Sequence, residues 1–125
     1  MRIYITHSAN FDFKNELYAP ILSSELNKIH QITLPYKEKL VSSSSKDFIG
    51  SQDLIIAEVS YHSTGQGIEL GWANDRNIPI ACILKRGSMP SRSLKTVTGD
   101  FFEYDTDTML SVIEKVIVRF SSSKK

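Results

Sequence analysis

The sequence predicts a single α/β domain, a Rossmann-like (flavodoxin-like) three-layer sandwich with a parallel sheet of about five strands between helices. Three observations carry this. Short apolar, β-rich runs alternate along the chain with longer stretches whose apolar residues recur every three or four positions, which is the pattern of a parallel sheet with helical, right-handed crossovers. The runs at 54–57 (LIIA) and 80–84 (IACIL) are short and apolar throughout, as expected of strands covered on both faces. At 125 residues the chain suffices for one real core, and no second domain is expected.

Residues 2–6 (RIYIT) are the first strand, and 7–10 (HSAN) are a polar loop. A helix follows, with Phe13, Leu17, Ile21, Leu22, Leu26 and Ile29 on one stripe and with Pro20 placed to bend it. Residues 31–34 are a second short strand, and 35–41 form a charged connection without a regular element. The serine run at 42–45 is open to two readings, a loop or the start of a helix, because serine caps helices and also favours turns. Phe48 and Ile49 suggest a short helical turn before the third strand, which follows Asp53.

Polar and small residues at 60–67 end that strand. A helix then begins near Ile68 with Glu69 in its first turn, followed by Leu70, Trp72 and Ala73, and Asn77 is its stop before Pro79. The fourth strand is 80–84. Residues 85–99, with Gly87, Pro90 and five hydroxyl side chains, read as a mobile loop bordering the crevice, a lid or a subunit contact. Residues 101–104 are the last strand, and 108–120 are a final helix with Met109, Val112, Ile113, Val116 and Phe120 on one face. The domain is thus residues 1–120, and 121–125 (SSSKK) are a disordered polar tail.

Composition excludes several function classes. A formal charge of +1 with 23% charged residues is a mixed surface with no preference for a nucleic-acid polymer or a membrane. No apolar stretch is long enough to span a bilayer and the N-terminus lacks a signal-peptide shape, so a cytoplasmic setting is expected. Cys82, the one cysteine, lies within an apolar run and reads as a buried core thiol. His7, His30 and His62 have no metal-ligand spacing, so no metal site is expected. His30 reads as a helix-end residue, whereas His7 and His62 each follow a strand on the ligand side. Neither GxGxxG after the first strand nor GxxxxGK[ST] occurs, so dinucleotide redox chemistry and P-loop phosphoryl transfer lack their phosphate cradles.

The segment 53–73 (DLIIAEVSYHSTGQGIELGWA) brings a carboxylate, Glu69, out of a buried strand into a glycine-flanked turn. Ligands of open parallel sheets bind beyond the carboxyl ends of the strands, where this turn falls. Gly65 and Gly67 can take backbone conformations closed to other residues and admit a ligand to the main chain, and helix-start amides favour an anion. An acidic residue in a first turn can also serve only to complement the helix dipole. Both readings are open at this level.

The block AEVSYHSTGQGIELGWA, together with IYITHS near the N-terminus, resembles the nucleoside 2-deoxyribosyltransferase superfamily, and most of all its 2'-deoxynucleoside 5'-monophosphate N-hydrolase branch. The likeness covers the whole element order and is specific mainly in these two blocks. It implies that Glu69 is the nucleophile, that Tyr4 lies near the sugar and the glutamate, and that Ser63 and Ser8 contact the 5'-phosphate. An aspartate commonly stands at the Ser63 position in the transferase branch, so Ser63 favours a nucleotide over a free nucleoside. The implied activity is hydrolysis of the N-glycosidic bond of a (2'-deoxy)nucleoside 5'-monophosphate, without a cofactor, by a chain that pairs as a homodimer. The alternatives are a nucleoside 2-deoxyribosyltransferase and a non-catalytic nucleotide-binding or sensor module.

A carboxylate below C1' suits this chemistry, because glycosidic cleavage passes through an oxocarbenium-like state that it can stabilise or trap. Phosphate binding away from the reacting carbon then positions C1'. The sequence departs from the family pattern in two places. Relatives carry an aspartate just before the third strand to protonate the leaving base, and counting back from Asp53 that position falls on Ser45. Asp47, two residues along, is the substitute proton donor or else an exposed helix-turn residue. His7 stands where relatives have glycine, and its imidazole contacts phosphate or base, or blocks the usual pose. Phe11 is a base-pocket candidate, Phe13 and Trp72 read as core, with interface also open for Trp72, and Tyr61 is open. Ser91 and Ser93 best match the hydroxyl-bearing loop that a neighbouring subunit supplies to the phosphate site in relatives.

Overall fold

Apolar and β-branched runs make the strands, and the structure, a computed structural model, describes residues 1–37 and 42–122. Within them β1 (Arg2–His7), β2 (Gln31–Thr33), β3 (Leu54–Glu58), β4 (Ile80–Lys85) and β5 (Phe101–Tyr104) form one parallel sheet in the order β2-β1-β3-β4-β5. This is the flavodoxin-like order, whose switch point lies between β1 and β3. Register there sets Tyr4 beside Ile55, Thr6 beside Ala57 and His7 beside Glu58.

Alternation along the strands divides the core in two. Ile3, Ile5, Leu54, Ile56 and Ile83 pack with Leu17, Ile21 and Leu26 and with Met109, Ile113, Val116 and Ile117. These belong to α1 (Ala19–Leu22), α2 (Leu26–Ile29) and α5 (Met109–Ser122), with the turn before α1. Tyr4, Ile55, Ala57, Ile80 and Cys82 pack with Ile49, Leu70 and Ala73, from α3 (Ser42–Ile49) and α4 (Thr64–Asp75). The three-layer expectation holds. Among the described residues no helix is long and apolar enough to cross a membrane.

Several boundaries differ from the sequence reading. The helix expected after β1 is in three pieces: a π-helical turn at Lys14–Tyr18, α1 and α2. Pro20 has no amide to bond four residues back, and just before it the Ala19 N–H reaches five back to the Lys14 carbonyl, the widened turn by which a helix absorbs a break. The pieces rotate out of one stripe, so Leu22 and Ile29 are exposed. The serine run begins α3, which resolves its two readings toward helix. The connection at 35–41 turns at 35–37, and its remainder lies outside the described residues.

The largest shift is at α4, which starts at Thr64 rather than near Ile68. Its end is as expected: Asn77 takes φ 59°, its N–H bonds to the Asn74 carbonyl, and the Ile78 N–H bonds to the Ala73 carbonyl, a Schellman stop. The loop expected to be mobile at 85–99 holds a 3₁₀ turn, Arg92–Thr96. Its Leu94 and Val97 pack on the α4 side of the core, and Thr98 Oγ1 donates to the Ile80 carbonyl at 2.7 Å. At the other end α5 continues through Ser122, so the first two residues of the expected tail are helical, and 123–125 lie outside the described residues.

Candidate active site

The strands β1 and β3 stay paired to their carboxyl ends, His7 beside Glu58, and a cavity of about 290 Å³ opens at this end of the sheet, by the switch point. Its wall includes Tyr4, His7, Pro35, Tyr36, Ser45 and Ser63, and on α4 it runs along Gly65, Gln66, Ile68, Glu69 and Trp72. The volume is at the lower bound for a small-molecule site. Among the described residues Glu69 is the only acidic side chain in the wall.

Glu69 is held by both oxygens. The Tyr4 hydroxyl donates to Oε2 at 2.6 Å and Thr6 Oγ1 donates to Oε1 at 2.6 Å. Burial first, then the bond to Glu69 and its negative charge, push the Tyr4 hydroxyl far above the usual tyrosine range, so it stays a proton donor at any working pH. A helix starting near Ile68 would hold Glu69 in its first turn. With α4 starting at Thr64, Glu69 lies in the second turn, beyond the reach of the terminal amides. The helix-dipole reading loses its ground, and a carboxylate oriented by two hydroxyls beside a cavity remains.

Ser63 is the N-cap of α4, and its hydroxyl accepts the Gln66 N–H at 3.3 Å. Gly65 and Gly67 are helical, without positive φ, which corrects the expected special backbone. What they contribute is open space, since a Cβ at either would meet nothing within 4 Å. Gly65 lines the main cavity, and Gly67 lines a second of about 90 Å³ with Ser63, Gln66, Tyr61, His62, Ser91 and Ser93. The hydroxyl-bearing loop expected from a neighbour therefore reaches the α4 N-terminus within a single chain.

Of the two roles open to His7, contact with phosphate or base and obstruction of the usual pose, the geometry disfavours the first. Burial lowers its pKa, and both ring nitrogens are spent internally: Nδ1 lies 2.8 Å from the Ser8 carbonyl and Nε2 lies 2.7 Å from the Tyr18 hydroxyl. The carbonyl can only accept, so Nδ1 carries the proton and Nε2 accepts from Tyr18, whose oxygen in turn accepts the Tyr36 N–H at 3.1 Å. His7 thus shapes the wall as the centre of a ring cluster with Phe13, Tyr18 and Tyr36, at 4.6 to 5.5 Å between centroids, and has no free nitrogen for phosphate or base.

Asp47 does not reach the cavity. It is exposed on α3, whereas Ser45 is buried in the wall, and residues two apart on a helix point about 200° from each other. Phe11 lies outside both walls, stacked on Tyr61 at 4.8 Å with the Lys85 ammonium over both rings. Ser8 is buried, its hydroxyl accepting the Asn10 N–H at 3.0 Å, and is in neither wall. Trp72 lies in the main wall as well as against the core. Cys82 is a buried free thiol, pushed up to about 12 by burial, and His30 caps the end of α2. Among the described residues no three His, Cys, Asp or Glu side chains are grouped to hold a metal.

Sequence reasoning missed four residues. Thr6 shares the Tyr4 face of β1, so period-two alternation was its signal. Gln66 stands three after Ser63, the spacing of a capping box. Its side-chain Nε2 instead donates to the Thr6 carbonyl at 3.1 Å and the Glu58 carbonyl at 2.8 Å. Tyr36 follows Pro35 just past the ligand-side end of β2. Glu58 ends β3 and is fully buried, bonded to the Ser60 N–H at 2.7 Å, the Ser60 hydroxyl at 2.8 Å and the Tyr104 hydroxyl.

No protein-family model matches the chain, and no curated protein matches it. Its structure is similar to that of the Clostridium botulinum CMP N-glycosidase BcmB, with a TM-score of 0.64 and 23% sequence identity over 91% of this chain and 99% of that one. At that identity the likeness establishes the fold.

Proposed function

We propose that the chain hydrolyses the N-glycosidic bond of (2'-deoxy)nucleoside 5'-monophosphates, as a member of the nucleoside 2-deoxyribosyltransferase superfamily with Glu69 as nucleophile. The observation that carries the reading is the Glu69 carboxylate, oriented by Tyr4 and Thr6 at the wall of a cavity at the switch point. Of the residues to which the family resemblance gives a role, Tyr4, Ser63 and Glu69 line that cavity and Ser8 does not. A structural neighbour described as a CMP N-glycosidase supports the same class of bond.

In this reading a Glu69 oxygen attacks C1', the bond from C1' to the base nitrogen breaks, and the base leaves with the electron pair. Water then cleaves the glycosyl ester, giving (deoxy)ribose 5-phosphate and regenerating the carboxylate. The phosphate lies at the α4 N-terminus, where first-turn amides have no helical acceptor and Ser63, Ser91 and Ser93 supply hydroxyls. Tyr36 and Trp72 flank the base. The leaving base takes its proton from solvent at the mouth, whose rim residues Tyr36 and Ile68 are 55% and 50% exposed.

A second reading, a nucleotide-binding module without turnover, draws on one observation: Ser45 occupies the wall where relatives place the acid, and Asp47 faces away. One panel separates the two. Ribo- and deoxynucleoside monophosphates and the matching nucleosides are incubated with the purified protein and with Glu69→Ala, and free base is measured by chromatography. Release from monophosphates that is lost in Glu69→Ala establishes the hydrolase. Binding by calorimetry without release from any compound establishes the module, and base exchange outrunning hydrolysis marks a transferase.

A further inference from the structure

We propose that Thr6 is a positioning residue for Glu69, and that Gln66 is the strut that keeps the two in register. Thr6 is fully buried and lies outside the cavity wall, so it acts on a ligand only through the carboxylate. One hydrogen bond fixes a carboxylate at a point and two fix its plane. Tyr4 holds Oε2 and Thr6 holds Oε1, so the lone pairs left for the cavity are set by the pair of hydroxyls. Without Thr6 the group turns about its last bond with Tyr4 as pivot.

Thr6 is itself held. Gln66, 4% exposed, spends its two amide protons on the carbonyls of Thr6 and Glu58, the carboxyl-terminal parts of β1 and β3. It lies one helical turn before Glu69, so a single amide ties both strand ends to the helix that carries the carboxylate. A side chain with two donors at one nitrogen is what two carbonyl acceptors require.

The catalytic consequence rests on the proposed hydrolase, whereas the orientation of Glu69 does not, so two readouts are taken. Thr6→Val preserves shape and strand preference while deleting the hydroxyl, Thr6→Ser restores it, and Gln66→Met deletes the strut. Base release by Thr6→Val is expected to show kcat lowered roughly 10- to 100-fold with KM within about twofold, the range of one hydrogen bond to a charged group. Thr6→Ser recovers most of it. The second readout is the ¹³C carboxyl resonance of Glu69, assigned by its loss in Glu69→Gln. It is expected to move in Thr6→Val and Gln66→Met and to return in Thr6→Ser. A resonance unmoved in Thr6→Val, or moved equally in Thr6→Ser, overturns the proposal. If the unaltered protein releases no base, the hydrolase reading fails and the resonance alone decides this one.

Discussion

Glu58 and Glu69 stand at the same end of the sheet, each accepting a tyrosine hydroxyl, yet their surroundings make them opposites. Glu58 is fully buried, and Tyr104, the Ser60 N–H and the Ser60 hydroxyl close it in. The same serine oxygen accepts the Lys85 N–H at 2.7 Å, so the carboxylate stitches β3, β4 and β5 together at their ends. Glu69 is half-buried, held from behind by β1 and open in front to a cavity. Two carboxylates with similar partners differ in having an unoccupied side, and that side is what chemistry needs.

The contrast can be broken most forcefully at the closed carboxylate. Glu58→Ala strands the buried Tyr104 hydroxyl and both donors of the half-buried Ser60, and is expected to cost about 3 kcal/mol or more of unfolding free energy, read by urea denaturation. The tyrosine pair sharpens it. Tyr104→Phe is expected to cost about 1.5–3 kcal/mol of stability while the folded protein still releases base. Tyr4→Phe is expected to lose roughly 10- to 100-fold in kcat with a smaller loss of stability.

His7, paired in register with Glu58 and lying in the cavity wall, links the two regions through pH. Burial lowers its pKa from the usual 6.5, so below that value the unfolded chain binds a proton that the native one resists. Stability present above pH 6.5 is therefore lost as pH falls toward the folded value. Urea midpoints from pH 7.5 to about 5 should fall in the unaltered protein and fall less in His7→Gln. His30, lowered by burial and by the terminal ammonium, adds a slope of the same sign. The smallest effect belongs to Asp47→Asn: with the carboxylate exposed and outside the wall, base release is expected to stay within about twofold, since surface changes away from such features are near neutral. A large loss in steady-state kinetics would return the proton-donor role to Asp47.

The fold was legible because its signals are periodic: β5 and the apolar face of α5 need only alternation and a stripe. What was illegible was local competition. Pro20 was visible as a bend, but whether the chain kinks or widens into a π turn depends on packing. Ser63 carried a capping signature with Gln66 three residues on, and reading it would have started α4 four residues earlier and moved Glu69 out of the first turn. Of the site, Tyr4, His7, Ser63, Gly65 and Glu69 reach the main cavity from both sequence blocks and Gly67 and Ser93 line the second, whereas Phe11, Ser8 and Asp47 reach neither. Thr6 was missed, although it shares the parity of Tyr4 on β1. Tyr36 and Glu58 required the tertiary structure, because no pattern says which strand end a loop aromatic faces or whether a strand-end carboxylate is enclosed.

The most direct test is to measure base release and urea unfolding side by side on Glu58→Gln and Glu69→Gln. The account predicts that Glu69→Gln loses roughly a thousandfold or more in kcat/KM, the scale of removing a catalytic group, and keeps its stability, whereas Glu58→Gln loses stability and its folded fraction still turns over. Base release undiminished in Glu69→Gln, or abolished equally in folded Glu58→Gln, would contradict it.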